Sequence, residues 1–208
     1  MRTFVRAALL CGIVAAGARP GMAAGAGNIN LFGGVKNLDQ DVWSPVESQP
    51  EYGVEITLGG TGWPVMLALD ALQSSDEEDQ EALTLKGTTT EVNVGIRKIW
   101  EKGRARPFIG GGVAWIDAET EAEAPPLPGT PGLNLFPEVE PGSSATESDS
   151  GTGLWGGAGV FWRLGSYFNL GISARFSGAK VTIRGDEEQA GGLHAGILLG
   201  FGWPAAAP

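Results

Sequence analysis

The chain has 208 residues with 24 acids, 14 bases, 34 glycines and a single cysteine, for a net charge of −10. That balance disfavours nucleic acid and anionic lipid head groups as partners. No apolar run after the first 26 residues reaches the length of a spanning helix, so a membrane can be crossed only by strands of about 9 to 11 residues.

Arg2 and Arg6 flank the start of an apolar run from Ala7 to Ala18, and the small residues Ala23-Ala24-Gly25-Ala26 follow. This is the pattern of a secretory signal peptide, residues 1–26, with cleavage at roughly 23–26. Removing it takes away Cys11 and three arginines. The remainder has no disulfide framework and no thiolate metal site. It holds 11 bases against 24 acids, a net charge of −13.

From there the chain alternates apolar and polar residues with period two, the signature of strands with two unlike faces. Ile29, Leu31 and Val35 form the first apolar row, against Asn30, Phe32, Gly34 and Lys36. A polar loop is predicted at 39–49. Tyr52, Val54, Ile56 and Leu58 alternate with Gly53, Glu55, Thr57 and Gly59. After a tight turn, Trp63, Val65, Leu67, Leu69 and Ala71 alternate with Met66, Ala68 and Asp70. SSDEEDQE, which opens the segment 74–82, reads as a solvated acidic loop. Val92, Val94, Ile96, Lys98 and Trp100 then face away from Glu91, Asn93, Gly95 and Arg97.

The fifth strand, from Pro107 to Asp117, carries apolar residues on both faces. Ile109, Val113 and Trp115 are expected outward. Residues 119–150 hold six prolines, seven acids and no base, and read as the longest loop. The sixth and seventh strands form a hairpin around Arg163-Leu164-Gly165-Ser166, with Ala158, Val160 and Trp162 before the turn. After it come Phe168, Leu170, Ile172, Ala174 and Phe176. A bulge after Gly178 would keep Val181 and Ile183 in the same row. A loop at 184–190 precedes the last and cleanest row: Leu193, Ala195, Ile197, Leu199, Phe201 and Trp203, against Gly192, His194, Gly196 and Leu198.

Eight strands joined alternately by short turns and long acidic loops predict an all-β fold: an eight-stranded antiparallel up-and-down transmembrane β-barrel. Trp63, Trp100, Trp162, Tyr167, Phe168 and Trp203 all fall at the short-turn rim, as a periplasmic aromatic belt would. Trp115 and Trp155 are candidates for the upper belt, Trp155 only if Gly156-Gly157 is bulged. Lys36, Glu55, Asp70, Glu91, Arg97, Arg175 and His194 share the glycine-bearing face. Inside a closed barrel they have to pair with one another, because unpaired buried charge is costly.

The GVFWRLGSYFNLGISARF hairpin and the RPFIGGGV segment at 106–113 resemble the small eight-stranded outer-membrane barrels of Gram-negative bacteria, the group that includes the transmembrane domain of outer membrane protein A. The resemblance spans residues 27–203. It implies a monomer in the cell outer membrane, in contact with outer-membrane lipid and lipopolysaccharide and inserted by the outer-membrane assembly machinery. It also implies a structural or surface-interaction role without cofactor, metal or catalysis. Two features depart from the group: Trp203 is followed by the extension 204–208, and no second domain for cell-wall binding follows. A narrow or gated porin-like channel is the alternative, and a soluble secreted barrel with its apolar rows around a small ligand is a third reading. The one histidine, with Ser173 or Ser177 as neighbour, is the sole candidate for nucleophilic chemistry.

Overall fold

The computed structural model describes residues 25–60, 62–80, 83–101, 103–123, 144–183 and 186–204. The expected leader therefore lies outside the described residues, apart from its last two positions, Gly25 and Ala26. These open strand β1, paired with Gly60 and Gly59.

Strict alternation along the chain produces strands β1 (Gly25–Asn37), β2 (Ser48–Gly60), β3 (Met66–Gln80), β4 (Leu83–Ile99), β5 (Ala105–Glu123), β6 (Ser144–Leu164), β7 (Phe168–Ile183), β8 (Asp186–Gln189) and β9 (Leu193–Trp203), with one helical turn, α1 (Gln40–Trp43). Each strand from β1 to β7 pairs antiparallel with the next, and β9 pairs with both β7 and β1, so the sheet closes. β8 and β9 keep one register against β7: Lys180 faces Gln189 and Phe176 faces Leu193. Backbone bonds from Ser177 to Gly192 and from Ala190 to Ala179, each 3.0 Å, span the gap between them. Together they form the eighth stave of an eight-stranded up-and-down barrel, closed where β9 pairs with β1.

Pairing runs further from the short-turn rim than the hydropathy pattern indicates. The acidic segment 74–82 is not a loop through most of its length: β3 continues to Gln80, and Asp76 to Asp79 pair with Gly87 to Thr84 of β4. Thr84, Thr88, Thr89 and Thr90 make β4 a strong strand former there, and Thr84 Oγ1 donates to Asp79 Oδ1 at 2.8 Å. Residues 119–123 and 144–150 likewise belong to β5 and β6, while the remainder of that expected loop lies outside the described residues. Within 39–49 the chain forms α1 and then enters β2. Within 184–190 it forms β8.

The outer face carries the apolar rows. Leu31, Leu67, Val94, Ile96, Ile109, Ile172, Ile197 and Phe201 are all exposed, and Ile109, Val113 and Trp115 of β5 face outward as expected. The inner face holds the buried polar residues. Above this band the arrangement reverses. Ile116, Ala118, Ala179, Val181 and Ala190 point inward and pack with Leu38, Trp43 and Val46 of the β1–β2 connection. No bulge follows Gly178: β6 pairs with β7 in continuous register through Ala179. Val181 is buried, not in the outer row. The apparent phase slip in the sequence is a change of which face is apolar along an unbroken strand.

The filled interior as candidate functional site

The interior is built in layers. At the short-turn rim Arg163 ends β6 with its side chain buried, pointing inward between outward Trp162 and Leu164. The hairpin turn is therefore residues 165–167, tighter than the four-residue turn read from the sequence. Arg163 Nε donates to Asn169 Oδ1 at 2.7 Å, Nη2 to Asn28 Oδ1 at 2.9 Å, and Nη1 to the carbonyls of Gly202 and Pro204 at 3.1 and 3.4 Å. All four acceptors are neutral. Asn169 also donates to Asn28 and Asn30. Above this clamp lies an apolar layer containing Phe32, Phe108, Phe161 and Leu198.

Next comes a quartet of charges. Arg97 Nη1 donates to Glu55 Oε2 at 3.0 Å and Nη2 to Asp70 Oδ2 at 2.9 Å. Arg175 Nη2 donates to Glu55 Oε1, and its Nη1 lies 3.2 Å from Asp70 Oδ2. Each carboxylate thus bridges both guanidiniums, and the four charges cancel. Trp155 covers the quartet, its ring 5.9 Å from the Arg97 guanidinium and 5.5 Å from that of Arg175, while Phe108 lies 5.1 Å from Arg97. The indole N–H of Trp155 donates to the Val94 carbonyl at 3.4 Å. Trp155 is buried inside the barrel, so it does not belong to an upper belt. Register is unbroken through Gly156 and Gly157, and no bulge turns it outward.

A second network lies above. Lys36 Nζ donates to Thr89 Oγ1 at 2.9 Å and to Glu91 Oε2 at 3.4 Å. Glu91 Oε1 accepts from Asn93 at 2.7 Å, and Oε2 accepts from Ser177 Oγ at 2.9 Å. His194 joins the two halves of this network: Nδ1 is 2.9 Å from both oxygens of Glu51, and Nε2 is 2.9 Å from Ser177 Oγ. Gln49, Ser74 and Thr89 complete it. The cap closes the barrel above, with Trp43 Nε1 donating to the Gln189 carbonyl at 2.9 Å and Gln49 Nε2 to the Val46 carbonyl at 3.1 Å.

All seven charged residues singled out in the sequence are buried inside the barrel, in two connected groups: Glu55, Asp70, Arg97 and Arg175 in one, Lys36, Glu91 and His194 in the other. Two members were missed. Glu51 lies four positions before Glu55 on the same face, two residues beyond the predicted loop at 39–49. Arg163 follows Trp162 in perfect alternation but was assigned to the turn. The six aromatic residues of the short-turn rim are all exposed on the outer face, and Phe168 and Phe201 meet edge to face at 5.8 Å.

Glu51, His194 and Ser177 stand in the order of a carboxylate, base and hydroxyl nucleophile. Ser177 has no exposed surface, and its Oγ already donates to Glu91, so the hydroxyl is neither reachable nor free. Among the described residues no group of histidine, cysteine or carboxylate side chains is placed to hold a metal ion.

No family model matches the chain, and no curated protein matches it in sequence. Solved structures do match. Ail, the attachment invasion locus protein of Yersinia pestis, crystallised with the heparin analogue sucrose octasulfate, is similar over 86% of this chain and 99% of its own, with a TM-score of 0.54 and 12% identity. The N-terminal β-barrel domain of Pseudomonas aeruginosa OprF covers 86% of this chain and 97% of its own, with a TM-score of 0.46 and 17% identity. Neisserial surface protein A covers 84% and 96%, with a TM-score of 0.41 and 12% identity. At such identities the likeness is one of architecture. Together with the closed meander and its apolar outer face, the match to Ail defines the class: the fold is that of a small eight-stranded outer-membrane β-barrel.

Proposed function

We propose that the protein is an integral barrel of the cell outer membrane with a structural or surface-contact role, closed to solutes and without catalytic activity. The observation that carries this reading is the pairing of an apolar outer band with an interior filled by neutralised charge. Along the 11 residues of β9 the outer row runs from Leu193 to Trp203, a span of ten steps. At about 3.3 Å per residue and a tilt of about 40° this spans roughly 25 Å along the barrel axis, the height of a typical outer-membrane apolar band. A soluble barrel around an apolar ligand would need these rows inside.

The inner charges favour a plug over a pore. Both carboxylates of the quartet are shared between two arginines. The void beside it, lined by Arg97, Phe108, Trp155 and Arg175, measures about 10 Å³, room for about one water molecule. The paired, acidic extensions of β3–β4 and β5–β6 supply the surface offered beyond the membrane. Contact with lipopolysaccharide, insertion by the assembly machinery and a monomeric state belong to the same proposal. The test is reconstitution in planar bilayers of protein whose folding is checked by heat-modifiable migration on a gel. Folded protein with no stable conductance is expected, and a steady open channel would refute the plug.

A further inference from the structure

A chain with a net charge of −13 after its leader is a poor candidate for anionic lipid, until its 11 bases are located. Lys36, Arg97, Arg163 and Arg175 are buried inside the barrel. Of the other seven, four fall within the nine residues KIWEKGRAR at 98–106, against one acid, Glu101. This segment is the end of β4, the turn and the start of β5, at the short-turn rim. The other two turns at that rim, 61–65 and 165–167, carry no charge. The acids gather at the opposite end, in β3, β5 and β6.

The corner also has the shape of an interface site. Lys98 continues the outward row of Val94 and Ile96 and sits opposite Ile109. Its side chain is half-buried among apolar neighbours, and a lysine stem so placed carries its ammonium toward the head-group level. Trp100, whose backbone N–H bonds the Pro107 carbonyl at 3.0 Å, flanks the start of β5 on one side. Trp162, opposite Ala105, flanks it on the other, and both indoles are exposed. Arg104 is exposed in the turn between them. Arg106 plays a different part. It shares the inward phase of Phe108 and pairs with Glu101 at 3.1 Å, so these two charges cancel. Among the described residues no carboxylate lies within ion-pairing distance of Lys98 or Arg104, and the two cations remain available at one corner between two interfacial indoles.

We propose that this β4–β5 corner binds the anionic head group of a phospholipid in the leaflet at the short-turn rim, with Lys98 and Arg104 holding the phosphate and the indoles of Trp100 and Trp162 lying along the glycerol region. The site rests on the membrane reading given above. Each basic residue near an anionic surface is worth about fivefold in affinity, so two supply a preference well above that of a neutral lipid.

The test uses the full chain refolded in neutral detergent, with the heat-modifiable shift recorded first. Equal amounts of phosphatidylglycerol and phosphatidylcholine are added, and retained lipid is counted by native mass spectrometry. Retention of phosphatidylglycerol over phosphatidylcholine by at least about fivefold is expected. The Lys98→Gln/Arg104→Gln double variant should lose this preference, while Lys86→Gln, a cation of the acidic extension, should keep it. Equal retention of both lipids by the unaltered protein overturns the site, and so does an unchanged preference in the double variant. Absence of the heat-modifiable shift would instead count against the barrel's membrane role, which keeps the two failures apart.

Discussion

Substituting Arg175 by Gln perturbs the quartet most directly. Two carboxylates now share one guanidinium, that of Arg97, and the cluster changes from neutral to a net charge of −1 at positions that are at most 5% exposed. Removing one partner from a buried ion pair costs about 3–5 kcal/mol, mostly because the remaining charge is stranded. The lost stacking under Trp155 adds roughly 0.5–2 kcal/mol. The unfolding midpoint in urea, followed by gel shift on protein refolded in detergent, should fall accordingly, with the slope unchanged. Glu55→Gln strands a cation instead and should cost a similar amount. The double variant leaves Asp70 paired with Arg97 at 2.9 Å in a neutral cluster. It should therefore lose less than the sum of the single variants, by about 1–3 kcal/mol. Additive losses, or single losses below about 1 kcal/mol, would refute the view that mutual neutralisation holds the plug together.

The remaining predictions concern the layers around the quartet. Trp43→Ala should remove the largest side chain of the cap, at a local cost of about 3 kcal/mol. Faster amide exchange at Ala190 and Val46 would show it, with conductance still absent because the charged layers beneath are untouched. Opening of a channel in this variant would place the seal in the cap alone. Ser177→Ala and His194→Ala should leave ester and lipid hydrolysis at the background of the unaltered protein, and measurable hydrolysis lost in both would overturn the non-catalytic reading. Gly202→Ala places a methyl 2.0 Å from Arg163 Nη2 and 2.2 Å from Asn28 Oδ1. It should lower stability by about 1–3 kcal/mol, and retention of the full urea midpoint would show that the clamp yields freely.

The barrel was legible in the sequence because one rule, strict alternation, applies wherever lipid faces one side and a polar filling the other. Lys36, Glu55, Asp70, Glu91, Arg97, Arg175 and His194 followed from parity alone. The rule misleads above the apolar band. There water lies outside and the Trp43 cap inside, so Ile116, Ala118 and Val181 turn inward without any change of register. A pattern that exchanges its faces looks like a bulge when it is read as letters. Alternation gives Trp155 the inward parity, and with no bulge at Gly156-Gly157 it stays there, held against two guanidiniums inside the polar filling. Paired acidic strands such as Asp76 to Asp79 were hidden by their composition, because the evidence for pairing lies in the threonines of the partner strand.

The arginine at the short-turn rim gives the ring a clasp. The groups that Arg163 grips come from β1, β7, β9 and the chain just beyond it, and Asn28 is 135 positions away in sequence. Asn169 already faces Arg163 across the β6–β7 hairpin, but Asn28 comes within reach only when the first and last strands have met. The full set of contacts is therefore complete only in the closed barrel. It ties the two ends of the chain together through a residue that belongs to neither.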